Sequence, residues 1–233
     1  MDLFERLLTW DRDLFLTLNG LHSSWMDHFM WLMSETVVWL PFFLVFLYQL
    51  IRNKKSKSLW LILTFALLIT FTDQIASSVF KPLIERLRPT HDPDMVGLVH
   101  IVNHYKGGHY GFFSSHAANV FAFAGLSLLF VRNWSYTVCI LIWASIISYS
   151  RIYLGVHFPL DILTGAAFGM LSSIGFYFLY QLLNKGKSSK RVSREKRRRK
   201  SVDGFPKNEV LQLNAVLSIV LIVCMLTSYY LAW

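Results

Sequence analysis

Charge is what this sequence has least of. Only 16% of its 233 residues are Asp, Glu, Lys or Arg, while 54% are hydrophobic and 16% aromatic. An ordinary soluble domain carries about a quarter charged residues, so that class is excluded. Cysteine is nearly missing: Cys139 and Cys224, both inside apolar runs, are the two present. That excludes a disulfide framework and a cysteine-based metal centre. No internal repeat is visible, and the first 28 residues hold too many charges for a secretory h-region. This segment is therefore expected to be retained, as an amphipathic helix lying at a membrane interface. Acidic residues are fewer than basic ones, 14 against 23, but that excess has to be read by position before a nucleic-acid partner is invoked.

Long apolar runs, by contrast, are plentiful. A hydrocarbon core about 30 Å thick asks for ~20 mostly apolar residues per helix, and six stretches qualify: residues 30–51, 59–80, 115–131, 135–154, 159–183 and 210–233. The expected fold is an all-α integral membrane bundle of six helices, with an N-terminal interfacial helix over 1–28. Residues 29–184 form its five-span domain, 185–209 a basic linker and 210–233 a sixth, accessory span. With six spans, the loops after the first, third and fifth share one face. They hold 15 of the 23 basic residues: Arg52, Lys54, Lys55, Lys57, Arg132 and ten more within 185–200. The positive-inside rule puts that face in the cytoplasm, and the basic run is expected to contact anionic lipid, not nucleic acid. The loop 85–111 and the turn at His157 then face outward. Compactness and short outer loops suggest a bacterial inner membrane. "GAAFG", Gly165 to Gly169, gives one helix face small enough for close packing, and Asp73 with Gln74 reads as a satisfied pair facing the bundle.

Ionisable residues at the outward span ends are what composition does not predict. The second run ends "KPLIERLRPTHD", with Lys81 and Arg88 seven apart; the third begins "FFSSHAAN"; the fourth-to-fifth turn reads "SYSRIYLGVHFPLDIL". Singly, each has a plain explanation as a snorkelling cation, a helix cap or a satisfied buried histidine. Together they match one chemistry. Lys81, Arg88 and Arg151 supply three cations for a tetrahedral dianion. Ser114 suits an N-cap, which would aim the free amides of Ser115 and His116 at the same oxygens. Pro159 suits the first position of a helix, so Asp161 falls in its opening turn, four residues from His157, where a carboxylate can fix the imidazole tautomer and stabilise imidazolium.

These residues resemble the type 2 phosphatidic acid phosphatases, whose signatures read K-x6-R-P, P-S-G-H and S-R-x5-H-x3-D. The first matches at Lys81, Arg88 and Pro89, and the third at Ser150, Arg151, His157 and Asp161 with every spacing kept. The second departs, Phe113 standing for proline and Ser115 for glycine, while Ser114 and His116 keep register. The resemblance covers roughly residues 59–180 and implies a lipid phosphatase. In the mechanism it implies, His157 attacks phosphorus, Asp161 supports it and His116 serves as acid and then base. Lys81, Arg88, Ser114, Ser115 and Arg151 hold the phosphate oxygens. No metal or other cofactor is implied, and the spacings of His91, Asp92, Asp94, His100, His104 and His109 fit no zinc pattern. That loop is expected to be a solvated cover that selects the head group.

Membrane lipid phosphates are the implied substrates: undecaprenyl diphosphate, phosphatidylglycerophosphate, phosphatidate or lipid A phosphate, with undecaprenyl diphosphate or a related envelope lipid preferred. A lipid-phosphate transporter or flippase, a vanadate-dependent haloperoxidase and a non-catalytic membrane protein are the rival classes. A transporter would not need His116 and His157 at acid and nucleophile positions.

Overall fold

The structure, a computed structural model, describes residues 2–184 and 204–232. The basic run expected to meet anionic lipid therefore lies outside the described residues. Those that are described form eight main helices: α1 (Leu3–Asn19), α2 (Ser24–Ser34), α3 (Thr36–Lys54), α4 (Ser58–Ile84), α5 (Ser115–Val131), α6 (Trp134–Tyr153), α7 (Pro159–Asn184) and α8 (Lys207–Leu231). Among them there is no strand, only an isolated bridge between Leu87 and Tyr110.

Five helices, α3, α4, α6, α7 and α8, are long and apolar enough to cross a membrane. The third of the expected six, α5, has 17 residues and spans only about 26 Å at 1.5 Å per residue. The first expected span is corrected. Glu35 adopts an extended conformation, a charged residue ahead of three β-branched ones, so residues 30–34 finish α2 and the apolar span starts at Thr36. The boundary expected at residue 28 likewise falls inside α2.

Local chemistry explains several helix starts. Ser23, Ser114 and Asn133 cap α2, α5 and α6 through side-chain oxygens, each satisfying an amide the helix leaves free. Within α4, Pro82 has no N–H to return to the Ser78 carbonyl, and the helix widens to a π stretch over Ile75–Phe80.

Helix α5 runs through the centre, its alanines buried. Packing against α7 is close because Gly165 and Gly169 face the α5 backbone, while Gly125 of α5 faces Ser173. The expected accessory span, α8, is joined to the rest. Trp25 Nε1 donates to the Met225 carbonyl at 3.2 Å, Asn214 to Ser135 Oγ at 3.0 Å, and Gln49 and Asn53 bond Gln212 and Glu209.

Helix α1 was expected to lie flat. Leu3, Phe4, Leu7 and Trp10 in its first half are indeed exposed, but Asp11, Phe15 and Asn19, four apart along its second half, are buried. Asn19 fastens α1 to the bundle: its Nδ2 donates to the carbonyls of His100, Ile152 and Tyr153, and its Oδ1 accepts from the His100 amide.

Candidate active site

Four chain segments deliver side chains to one end of the bundle. The last turns of α4 carry Lys81, after which Glu85 takes a left-handed conformation (φ 51°) and the chain leaves the helix extended. The bridge of Leu87 with Tyr110 then sets Arg88 inward, its Nε donating to the Tyr110 carbonyl at 3.1 Å. The start of α5 brings Ser114, Ser115 and His116. The end of α6 brings Arg151, and the turn at Gly155 (φ 77°) leads through His157 into α7.

Each sequence-nominated residue has a defined place. Ser114 caps α5 by accepting from the Ala117 amide, and its own amide donates to the Asp161 carbonyl at 3.0 Å, tying the second motif to the third. Ser115, standing where the family signature has glycine, accepts from Lys81 Nζ at 2.9 Å and lies 3.1 Å from Ser77 Oγ. The added hydroxyl thus positions the lysine. Arg151, 2% exposed, donates to Ser34 Oγ at 2.7 Å and Tyr105 Oη at 3.1 Å, while its buried Nε has no partner. A buried guanidinium with a spare donor is suited to an oxyanion.

His157 is 1% exposed. Its Nδ1 lies 3.4 Å from Asp161 Oδ2, a long hydrogen bond, and the same oxygen accepts from the Phe158 amide at 3.1 Å. Burial, and then the charges of Arg88, Arg151 and Lys81, hold His157 well below the ordinary imidazole value of 6.5, with the Gly111 carbonyl pulling the other way. The ring is therefore neutral near pH 7, with a lone pair to offer.

His116 remains accessible and lines a cavity of about 380 Å³ between the helices, together with Asp73, Asn119, Phe43, Phe123 and Trp143. A second cavity of about 190 Å³ joins His116 to Arg151, Tyr105 and Glu35. Asp73 and Gln74 are both satisfied, though not by each other: Asp73 accepts from Asn119 of α5 and Gln74 from Ser78.

Two residues escape the sequence reading. Arg86 donates to Asp161 Oδ1 at 2.9 Å and to Asp11 Oδ2 at 2.6 Å, and Asp11 Oδ1 accepts from the Leu160 amide at 2.8 Å. Arg86 was available as the i−2 neighbour of Arg88 in an extended run. Asp11 was legible only as a member of the Asp11, Phe15, Asn19 face. Burial raises Asp11 above its ordinary value, while Arg86 and the Leu160 amide oppose the shift.

The loop expected to be a solvated cover is anchored. Arg12 of α1 bonds Asp92 and Asp94, both at 3.1 Å, Met95 and Val102 are buried, and Tyr105 reaches Arg151. Among the described residues no three His, Cys, Asp or Glu side chains converge to hold an ion.

Residues 59–185 match the family model of the PAP2 superfamily. Over 180 residues the chain is 41% identical to a lipid A 4'-phosphatase of Bacteroides thetaiotaomicron, covering 76% of this chain and 80% of that one. Over 177 residues it is 38% identical to a lipid A 4'-phosphatase of Porphyromonas gingivalis, covering 76% and 75%. Among solved structures, the PAP2-type phosphatidylglycerolphosphate phosphatase from Bacillus subtilis superposes with a TM-score of 0.57 at 21% identity, over 77% of this chain and 89% of that one.

Proposed function

Because this chain belongs to the PAP2 superfamily, we propose that it hydrolyses an envelope-lipid phosphate, the 4'-phosphate of lipid A foremost, through a phosphohistidine on His157. The protein is an integral membrane lipid phosphatase. Lipid A stands ahead of undecaprenyl diphosphate because two relatives that span most of this chain are lipid A 4'-phosphatases. The observation that carries the mechanism is the buried His157–Asp161 pair set beside Arg88, Arg151 and Lys81.

In the proposed course, Asp161 faces Nδ1, which leaves Nε2 of His157 to attack phosphorus. The N–P bond forms as the P–O bond to the lipid breaks, and His116 gives its proton to the departing oxygen. His116 then takes a proton from water, whose oxygen attacks phosphorus, releasing phosphate and restoring His157. Lys81, Arg88, Arg151, the Ser114 cap and the first amides of α5 stabilise the three equatorial oxygens, where charge spreads in the transition state. No step requires a metal. The cavity beside His116 suits the leaving alcohol, since the acid must stand next to the oxygen it protonates. We place the site on the outer face of a bacterial inner membrane, opposite the basic ends of α3 and α5.

Phosphate release from a panel of lipid phosphates, in detergent with chelator present and with His157→Ala as control, tests this. Release is expected to be greatest with lipid A 4'-phosphate, unaffected by chelator and absent in the variant. Release that requires metal, or that persists in the variant, contradicts the mechanism.

A further inference from the structure

We propose that Asp11 of α1 is a positioning residue for the reaction: through Arg86 it balances the charge beside Asp161 and so lets Asp161 act on His157. The proposal rests on the reading of His157 as nucleophile.

Asp11 and Asp161 are both 0% exposed, and a single guanidinium joins them, Arg86 donating to Asp161 Oδ1 at 2.9 Å and to Asp11 Oδ2 at 2.6 Å. The backbone is tied in as well, because Asp11 Oδ1 takes the Leu160 amide, in the same opening turn of α7 that carries Asp161. Docking of α1 does not call for this. Phe15 packs edge-on against Phe158 with ring centres 5.3 Å apart, and Asn19 makes four hydrogen bonds to the chain opposite. A buried carboxylate added to these contacts is costly unless it is fully paired.

Charge explains why it is there. Lys81, Arg88 and Arg151, which draw in phosphate, also act against positive charge on His157, yet the imidazole must become cationic as its bond to phosphorus forms. Asp161 is the group placed to offset that charge. A lone Arg86 at 2.9 Å would neutralise Asp161 and cancel the offset. With Asp11 on the other end of the guanidinium, the trio Asp11, Arg86 and Asp161 keeps a net charge of about −1 beside His157. Arg86 also lies over the Phe158 ring, 4.3 Å from its centre, so it is held on the residue next to the histidine.

The test uses the full chain in detergent with the panel lipid that turns over fastest. For Asp11→Asn, kcat is expected to fall about 10- to 100-fold, the range found when outer partners of metal-bound histidines are lost, while the inhibition constant of inorganic phosphate stays near wild type; the thermal midpoint should drop, since a buried ion pair is broken. The double variant Asp11→Asn with Arg86→Gln should be no slower than Arg86→Gln alone, because the charge Asp11 balances has gone. Wild-type kcat in Asp11→Asn overturns the proposal. So does a parallel loss of kcat and phosphate affinity, which marks a purely structural role, or full additivity in the double variant. Turnover surviving in His157→Ala instead removes the nucleophile on which the proposal depends, a failure distinct from the others.

Discussion

Replacing Gly165 by alanine should slow the enzyme although the residue touches no reacting group. A Cβ at Gly165 would stand 2.5 Å from the Ser114 carbonyl oxygen and 3.3 Å from both Ala117 Cβ and the Ala118 amide nitrogen. Carbon and carbonyl oxygen settle at roughly 3.3 Å, so the start of α5 must retreat from α7 by about 0.8 Å. That start is the proposed phosphate cradle: Ser114 caps it, its amide bonds the Asp161 carbonyl at 3.0 Å, and Ser115 holds Lys81. A misplacement of about 1 Å can cost ~100-fold in rate, so kcat for phosphate release should fall about 10- to 100-fold. Overpacking costs typically 1–3 kcal/mol, against about 1 kcal/mol gained from replacing a helical glycine. Gly175→Ala is the control, since a Cβ there meets nothing within 4 Å; it should keep wild-type kcat and raise the thermal midpoint. Turnover of folded Gly165→Ala within about twofold of wild type would refute the reasoning that α5 and α7 jointly set the site.

Arg151→Lys keeps the charge but loses the fork that reaches Ser34 and Tyr105 with Nε to spare. The expected loss in kcat/KM is about 100-fold, read by the same phosphate-release assay, and a near-wild-type value would deny Arg151 a geometric role. Acid should destabilise the fold through His157. Its folded pKa lies well below 6.5, so its neutral form contributes stability that is fully present above the unfolded value and is lost as pH falls from there toward the folded one. Thermal midpoints between pH 7.5 and 5 should therefore drop less in His157→Asn than in wild type, and equal slopes would contradict this.

Much of the site was legible because helical periodicity writes it locally. His157 and Asp161 are four apart across the Pro159 start, Ser114 precedes an apolar run, and Gly165 with Gly169 marks a close crossing. All three appear as the sequence implies. The pairing of Arg86 with Asp11 was not legible, because it spans 75 residues and depends on how α1 docks. That docking rests on Asn19 bonding main-chain carbonyls, contacts that leave no trace in hydropathy. The break at Glu35 was hidden for a related reason: an apolar run on both sides outweighs one charged residue in any long window. The loop at 91–109 looked solvated from its glycines and histidines, yet Met95, Val102 and Arg12 anchor it from beneath.

The central claim is a covalent bond between phosphorus and His157, and trapping that bond tests it most directly. Enzyme mixed with phosphorus-labelled lipid phosphate, quenched in alkali within a turnover and mapped by mass spectrometry, should carry an acid-labile phosphate on His157. In a His116 variant both formation and hydrolysis of the label should slow, so that label once formed decays more slowly, and in His157→Ala it should be absent. Label on another residue, or turnover with no labelled histidine at any time point, would contradict the account.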